Sequence, residues 1–76
     1  QDKSSKMNEY MILGLRQIDG VEIQKFKAKF GENPIYVYHK ELEKLVNEDF
    51  IEIDGDIIKL TNKGLDLANL VWEEFV

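Results

Sequence analysis

The side chains that could take part in chemistry are few, since this chain of 76 residues contains one histidine and no cysteine. His39 has no second histidine or cysteine at ligand spacing, and a metal site normally needs three or four protein ligands. Asp54 and Asp56 could act as paired carboxylates, but they flank Gly55, and this pattern is typical of a tight turn. We therefore expect no catalytic residue and no metal or cofactor bound by the chain itself. Without cysteine it cannot supply thiolate ligands to an iron–sulfur cluster.

The strongest structural signal is at residues 50–64, where two short runs rich in β-branched residues flank Asp54-Gly55-Asp56. Asp-Gly between apolar runs indicates a β-hairpin, because glycine tolerates the positive φ of a tight turn. Thr61 follows the second run and can cap a helix through its hydroxyl. Helices on both sides of a hairpin form the order of a winged-helix domain. We predict an α+β, mainly α, winged-helix-like fold with three helices, a β-hairpin wing and a C-terminal helix.

Apolar residues that recur every three or four positions place the helices. The predicted helices cover about residues 5–16, 22–30, 35–48 and 62–75. Ser5 is the expected N-cap of the first helix. The third helix is expected to bury one face, which carries Tyr38, Leu42, Leu45 and Val46. Residues 1–6 are polar and are expected to form a linker or disordered end, with the domain itself at 7–76.

The acidic balance of the chain argues against nucleic acid as a partner, since the formal net charge is −5. A winged helix that binds DNA places one helix in the major groove and sets cations against phosphates. Here the third helix and its end carry two lysines against four carboxylates, and the hairpin carries three carboxylates against Lys59. These surfaces would repel a duplex. The lysines at 25, 27 and 29 form a basic cluster, and a solvated helix face is its simplest interpretation.

The fourth predicted helix carries apolar residues around most of its circumference: Leu65, Leu67, Ala68, Leu70, Val71, Trp72, Phe75 and Val76. A domain of this size can cover one side of such a helix. The other side is either covered by the first helix and the hairpin or meets a different part of the protein. We expect Trp72 or Phe75 to be partly exposed and to contribute to docking. No run reaches the roughly 18 apolar residues of a membrane span.

Several short motifs follow one another along the chain: Glu9-Tyr-Met-Ile-Leu-Gly-Leu-Arg16, Gly20-Val21, Phe26-x-x-x-Phe30-Gly31, Leu42-x-x-Leu45 and Leu60-Thr61-x-x-Gly64. In this order they resemble the C-terminal domain of the oxygen-independent coproporphyrinogen III oxidase family. The resemblance covers about residues 7–76. Its first motif is the most specific, whereas Leu-Thr-x-x-Gly is common to many winged helices.

That family consists of radical S-adenosylmethionine proteins, which include oxidases of porphyrin and haem biosynthesis and a branch of haem chaperones. The resemblance implies a cytoplasmic parent protein whose N-terminal barrel holds a [4Fe–4S] cluster and S-adenosylmethionine. It also implies haem or porphyrin as a partner of the parent, and leaves open whether the present chain contacts it. The present chain would be its non-catalytic C-terminal domain, while the parent would be the oxidoreductase or the chaperone. Glu9 and Arg16 match family positions and join Trp72 and Phe75 as candidates for docking on the barrel.

A second interpretation stays open at this point. A stand-alone acidic winged helix that contacts other proteins would show the same charge and the same apolar fourth helix, and a DNA reader is the less favoured variant of it. The residues do not distinguish an oxidase from a haem chaperone.

Overall fold

The computed structural model describes residues 2–76 and is built from short helices around a small sheet. The elements are α1 (Lys3–Leu15), β1 (Val21–Glu22), α2 (Ile23–Phe30), α3 (Pro34–Val37), α4 (His39–Asn47), β2 (Ile51–Asp54), β3 (Ile57–Leu60), α5 (Asn62–Asp66), α6 (Ala68–Trp72) and a terminal 3₁₀ turn, Glu73–Phe75. This arrangement confirms the predicted α+β, mainly α, winged-helix-like fold.

The first helix begins earlier than the sequence pattern predicted. Asp2 is its N-cap, because the backbone N–H of Ser5 donates to Asp2 Oδ1 at 2.8 Å. This hydrogen bond also lowers the pKa of the Asp2 carboxyl. The assignment of Ser5 as the N-cap was therefore wrong, and residues 3–6, which were expected to form a linker or disordered end, form the first turns of α1.

Two helices that were predicted to be continuous are each divided by one residue. The backbone leaves the helical region at Tyr38, with φ −110° and ψ 33°, and at Leu67, with φ −119° and ψ 37°. At the first break, the Tyr38 hydroxyl donates to Asn8 Oδ1 of α1 at 2.6 Å, and burial raises the pKa of Tyr38 to about 12. Tertiary contacts of the tyrosine thus accompany a bend that helical periodicity alone did not reveal.

The wing forms as predicted, around a two-residue turn at Gly55-Asp56. Glycine at 55 adopts a φ of 58°, and the register pairs Ile51 with Leu60 and Ile53 with Ile58. A third strand, β1, pairs with β3 to give the order β1-β3-β2. It has only two residues and was not predicted.

Asp56 has a structural role beyond the turn. Its backbone carbonyl accepts from the Ile23 N–H at 2.8 Å, and its carboxylate accepts from the Gln24 N–H at 3.2 Å. The wing therefore satisfies free N–H groups at the start of α2, where a negative charge is also favoured.

A single apolar core joins all the main elements. Its buried residues are Met7, Met11, Leu15, Val21, Ile23, Phe26, Tyr38, Leu42, Leu45, Phe50, Ile51, Ile58, Val71 and Phe75. Three of the four residues predicted for the inner face of the third helix are among them. Val46 is not, because it lies on the outer side of α4 with 41% of its surface exposed.

Candidate functional site: a docking surface at the ends of α1 and α6

The end of α1 determines the position of Arg16. Met7, Met11 and Leu15 recur every four residues and face the core. Arg16 follows Leu15 at the C-cap, where its N–H donates to the carbonyl of Ile12 and the next N–H, of Gln17, donates to the carbonyl of Gly14. One residue corresponds to about 100° of helix rotation. The arginine side chain therefore emerges at the edge of the core and is exposed.

Arg16 lies over the indole ring of Trp72, with its guanidinium carbon 5.5 Å from the ring centroid. Trp72 ends α6, is partly buried and packs against the core. A cation over an aromatic face contributes about 0.5–1 kcal/mol at an exposed site. The structure thus brings together two of the four residues that the sequence nominated for docking.

An open groove of about 460 Å³ begins at Arg16 and runs between the end of α1, the wing and α5. We call it the α1–α5 groove; its apolar lining is Leu15, Ile18, Leu60 and Leu65. Ile18 is 96% exposed and Leu65 is 60% exposed. Isolated apolar residues are common on protein surfaces, but a cluster beside a groove is typical of an interaction site.

Two charged residues of the wing that line the α1–α5 groove form an ion pair with each other. Glu52 of β2 and Lys59 of β3 face each other across the hairpin, with Lys59 Nζ 3.5 Å from Glu52 Oε1. Both side chains are substantially exposed, so the pair adds little to stability. Two cations line the groove, Lys59 and Arg16. Lys59 is paired with Glu52, whereas Arg16 forms no ion pair among residues 2–76.

The other two nominated residues do not join this surface in the same way. Phe75 is a core residue with 1% of its surface exposed. Its ring packs edge-on against the ring of Tyr38, with 5.1 Å between the ring centroids. Of the two residues of which one was expected to be partly exposed, Trp72 is and Phe75 is not, so Phe75 presents no surface for docking in this structure. Glu9 is exposed and lies seven residues before Arg16, on the same face of α1 and about 10 Å along the axis. Its docking role stays a prediction.

Sequence reasoning missed Ile18 and Leu65 as surface residues. Ile18 was treated as part of a connection, although an isoleucine between Gln17 and Asp19 in a short polar loop was a usable signal. Leu65 was predicted to lie in a helix that is apolar around most of its circumference. The bend at Leu67 separates it from Val71 and Phe75, which enter the core.

Metal-binding side chains do not cluster in the part of the chain that the structure describes. No three His, Cys, Asp or Glu side chains converge there in a way that could hold a metal ion. His39 lies on exposed α4, with its Nε2 atom 4.0 Å from Glu43 Oε2. None of the helices between residues 2 and 76 has the length and apolar character needed to cross a membrane.

Comparison with known proteins gives the family. The model of the HemN C-terminal domain matches residues 1–67. The heme chaperone HemW of Lactococcus lactis subsp. lactis (strain IL1403) is 36% identical over 74 residues, which are 97% of this chain and 20% of that protein. The chain therefore spans about a fifth of the length of this curated relative. No solved structure gave a significant match. The resemblance stated from the motifs is confirmed, and the chain belongs to the HemN C-terminal domain family.

Proposed function

We propose that this domain is a non-catalytic docking module of a HemN-like protein. It packs on the part of the parent chain that precedes it, an N-terminal radical S-adenosylmethionine barrel in the cytoplasm. The observation that carries the proposal is that Arg16, which lies over Trp72, also lines the α1–α5 groove beside the exposed side chains of Ile18 and Leu65. Glu9, farther along the same face of α1, extends the contact.

The composition of this surface supports docking. Tryptophan and arginine are enriched among the residues that dominate binding energy at protein interfaces. Burying an exposed leucine or isoleucine side chain contributes about 1.5–3 kcal/mol, and Ile18 and Leu65 are both largely exposed here. The groove is therefore a favourable contact for a covalently linked neighbour, for which the loss of translational freedom on association is small.

We assign the iron–sulfur cluster and S-adenosylmethionine of the parent to the part of the chain that precedes this domain. A [4Fe–4S] cluster is held by cysteine thiolates, and this domain has no cysteine. We propose that the cluster and S-adenosylmethionine bind to the barrel. The matched relative is named a heme chaperone, which favours a parent that handles haem over one that oxidises coproporphyrinogen. In either case the domain's own residues support the barrel by covering one of its surfaces.

Leu65→Asp in the full-length parent tests the docking proposal. A carboxylate in an apolar interface is expensive to desolvate, so the variant should expose the groove. Hydrogen exchange of the peptides that cover residues 12–20 and 60–67 should rise at least tenfold.

Val46→Asp is the matched control. It also places a carboxylate at an exposed apolar helix position, but it lies in a different groove, between α4 and the wing. The proposal fails if Leu65→Asp leaves the exchange of both peptides at the wild-type rate.

A further inference from the structure

We propose that Arg16 binds a carboxylate of the preceding part of the parent chain, so that the docked interface contains an arginine–carboxylate pair stacked on Trp72. This inference rests on the proposed docking function and adds the chemistry of the partner surface. It commits to an aspartate or glutamate side chain of the same protein as the occupant.

The choice of arginine at this position is the first argument. The chain has 10 cationic residues, and Arg16 is the single arginine among them. A lysine would supply the same charge, but a guanidinium also stacks flat on an aromatic ring and presents several N–H donors in a planar fork. Arg16 already lies over Trp72. The guanidinium carbon is 5.5 Å from the ring centroid and the side chain is exposed, so its N–H groups can bind a partner.

No carboxylate among residues 2–76 forms an ion pair with the Arg16 guanidinium. The chain has 15 acidic residues, and lysines elsewhere pair with some of them, as in Lys3–Glu32 and Lys44–Glu74. The nearby Glu52 carboxylate in the same groove is paired with Lys59.

Docking would remove water from the Arg16 guanidinium, which then needs a hydrogen-bond acceptor from the partner surface. Arg16 lines the groove, so a segment that covers Ile18 and Leu65 also removes water from the guanidinium. A buried charge is destabilising unless it is paired. A carboxylate is the acceptor whose geometry matches the guanidinium fork, and such bidentate pairs are short and directional. The pair would therefore fix the orientation of the domain, while the apolar groove supplies most of the contact.

The preceding part of the parent is the occupant that the comparisons favour. The chain belongs to a family described as a C-terminal domain, and it matches only 20% of the length of the HemW relative. Most of such a protein therefore precedes this domain. A free anion would satisfy the guanidinium but would leave Ile18 and Leu65 uncovered.

Substitutions of Arg16 in the full-length parent test the pair. Docking is followed by hydrogen exchange of the groove peptides. Arg16→Gln should weaken docking about tenfold or more, because it leaves the partner carboxylate buried and unpaired. Arg16→Glu should weaken it further through repulsion. Arg16→Lys should fall between wild type and Arg16→Gln, since it keeps the charge without the planar fork. Lys27→Gln, an exposed cation on α2, is the control and should have no effect.

A charge swap then identifies the partner. In the Arg16→Glu parent, the aspartates and glutamates of the preceding part that are protected in the wild type are replaced by arginine one at a time. One replacement should restore docking to within a few fold of wild type. The inference is overturned if Arg16→Gln and Arg16→Glu dock normally, if no swap restores docking, or if docking depends on protein concentration, which indicates a second copy.

The two proposals fail in different ways. If Leu65→Asp abolishes docking while the Arg16 variants do not, the docking function stands and the arginine–carboxylate pair does not. If Leu65→Asp leaves exchange in the groove at the wild-type rate, the docking function itself is wrong.

Discussion

Trp72 and Phe75 lie three residues apart near the end of the chain but occupy different environments. Phe75 is enclosed by the core, with 1% exposure, whereas Trp72 keeps one face under Arg16 and is only partly buried. Helical spacing places both residues on neighbouring faces and cannot separate them. The difference arises from tertiary packing, because Phe75 lies four residues after buried Val71 and packs against Tyr38, whereas the Trp72 ring lies under Arg16.

Alanine substitution at these two positions should show this difference in the isolated domain. Phe75→Ala should lower the free energy of unfolding by about 3–5 kcal/mol, as large-to-small changes in cores do. Trp72→Ala should lower it by about 1–3 kcal/mol, because less of the side chain is buried. Urea unfolding followed by circular dichroism measures both. Equal losses would show that Trp72 is an ordinary core residue.

Gly64 is required by close packing between α5 and the segment that enters the wing. A Cβ atom built at this position would meet the backbone carbonyl oxygen of Phe50, far inside van der Waals contact. The obstacle is backbone, which cannot move aside as a flexible side chain can. Gly64→Ala should therefore destabilise the domain by about 1–3 kcal/mol, the range for overpacked sites.

Gly31→Ala is the comparison for Gly64→Ala. Nothing lies within 4 Å of a Cβ at residue 31, and the strain there comes only from its φ of 73°. The loss should be about 1–2 kcal/mol, the penalty of left-handed backbone for a residue with a side chain. Removal of the Phe50 side chain should not rescue Gly64→Ala, because the clash is with the backbone. A Gly64→Ala protein as stable as wild type would contradict the close approach.

At the scale of elements, the C-terminal segment is part of the core although the family match ends before it. The match covers residues 1–67, while Val71 and Phe75 are almost fully buried. The Lys44 ammonium of α4 also contacts Glu74 at 2.9 Å, and this hydrogen bond raises the pKa of Lys44. Residues 68–75 thus close one side of the domain against α1 and Tyr38.

Truncation after Leu67 should therefore unfold the domain. It removes two core side chains, each worth a few kcal/mol, from a fold whose total stability is of the order of 5–15 kcal/mol. We expect no cooperative thermal transition by calorimetry. Removal of Val76 alone is the control, because this residue is 92% exposed, and it should leave the midpoint within a few degrees. A cooperative transition in the truncated protein would show that α6 is only an appendage.

The sequence predicted most elements but not their bends. The hairpin at Gly55, the Thr61 cap and the end of α2 at Gly31 follow local rules, because a tight turn, a capping hydroxyl and a left-handed terminus each depend on a few neighbouring residues. The Thr61 cap is present as predicted: the Gly64 N–H donates to its hydroxyl oxygen at 3.0 Å. The break at Leu67 has only local backbone hydrogen bonds around it, and no local rule predicted it. The break at Tyr38 coincides with a contact to a residue far away in the chain. Tyr38 bonds to Asn8, thirty residues earlier.

The candidate docking surface was predictable only in part for the same reason. Arg16 and Trp72 were nominated separately, one from a family motif and one from an apolar helix. Their contact joins α1 to α6 and could not be read from spacing. The position of Ile18 in a polar loop was visible in the sequence, but its place beside the wing and α5 was not.

At the scale of the whole molecule, charge is distributed so that the surface a winged helix would offer to DNA is acidic or neutralised. Lys59 of the wing pairs with Glu52, and Lys44 of α4 pairs with Glu74. Glu43, Glu48 and Asp54 lie on the same two elements or at their ends. A protein gains affinity for a duplex mainly by placing free cations against phosphates, and these elements offer few.

We therefore predict that the domain does not bind duplex DNA with sub-micromolar affinity, even at low salt, where electrostatic attraction is strongest. Titration against a random duplex by fluorescence anisotropy measures this. The variant Glu52→Gln frees Lys59 and removes one negative charge from the wing; it should change the result little, because the net charge of the domain is −5 and remains negative after a single substitution. The prediction would be contradicted by a sub-micromolar dissociation constant, with an association constant whose logarithm falls linearly with the logarithm of salt concentration. Such binding would point to the lysines of α2, which lie outside α4 and the wing, as the DNA contact.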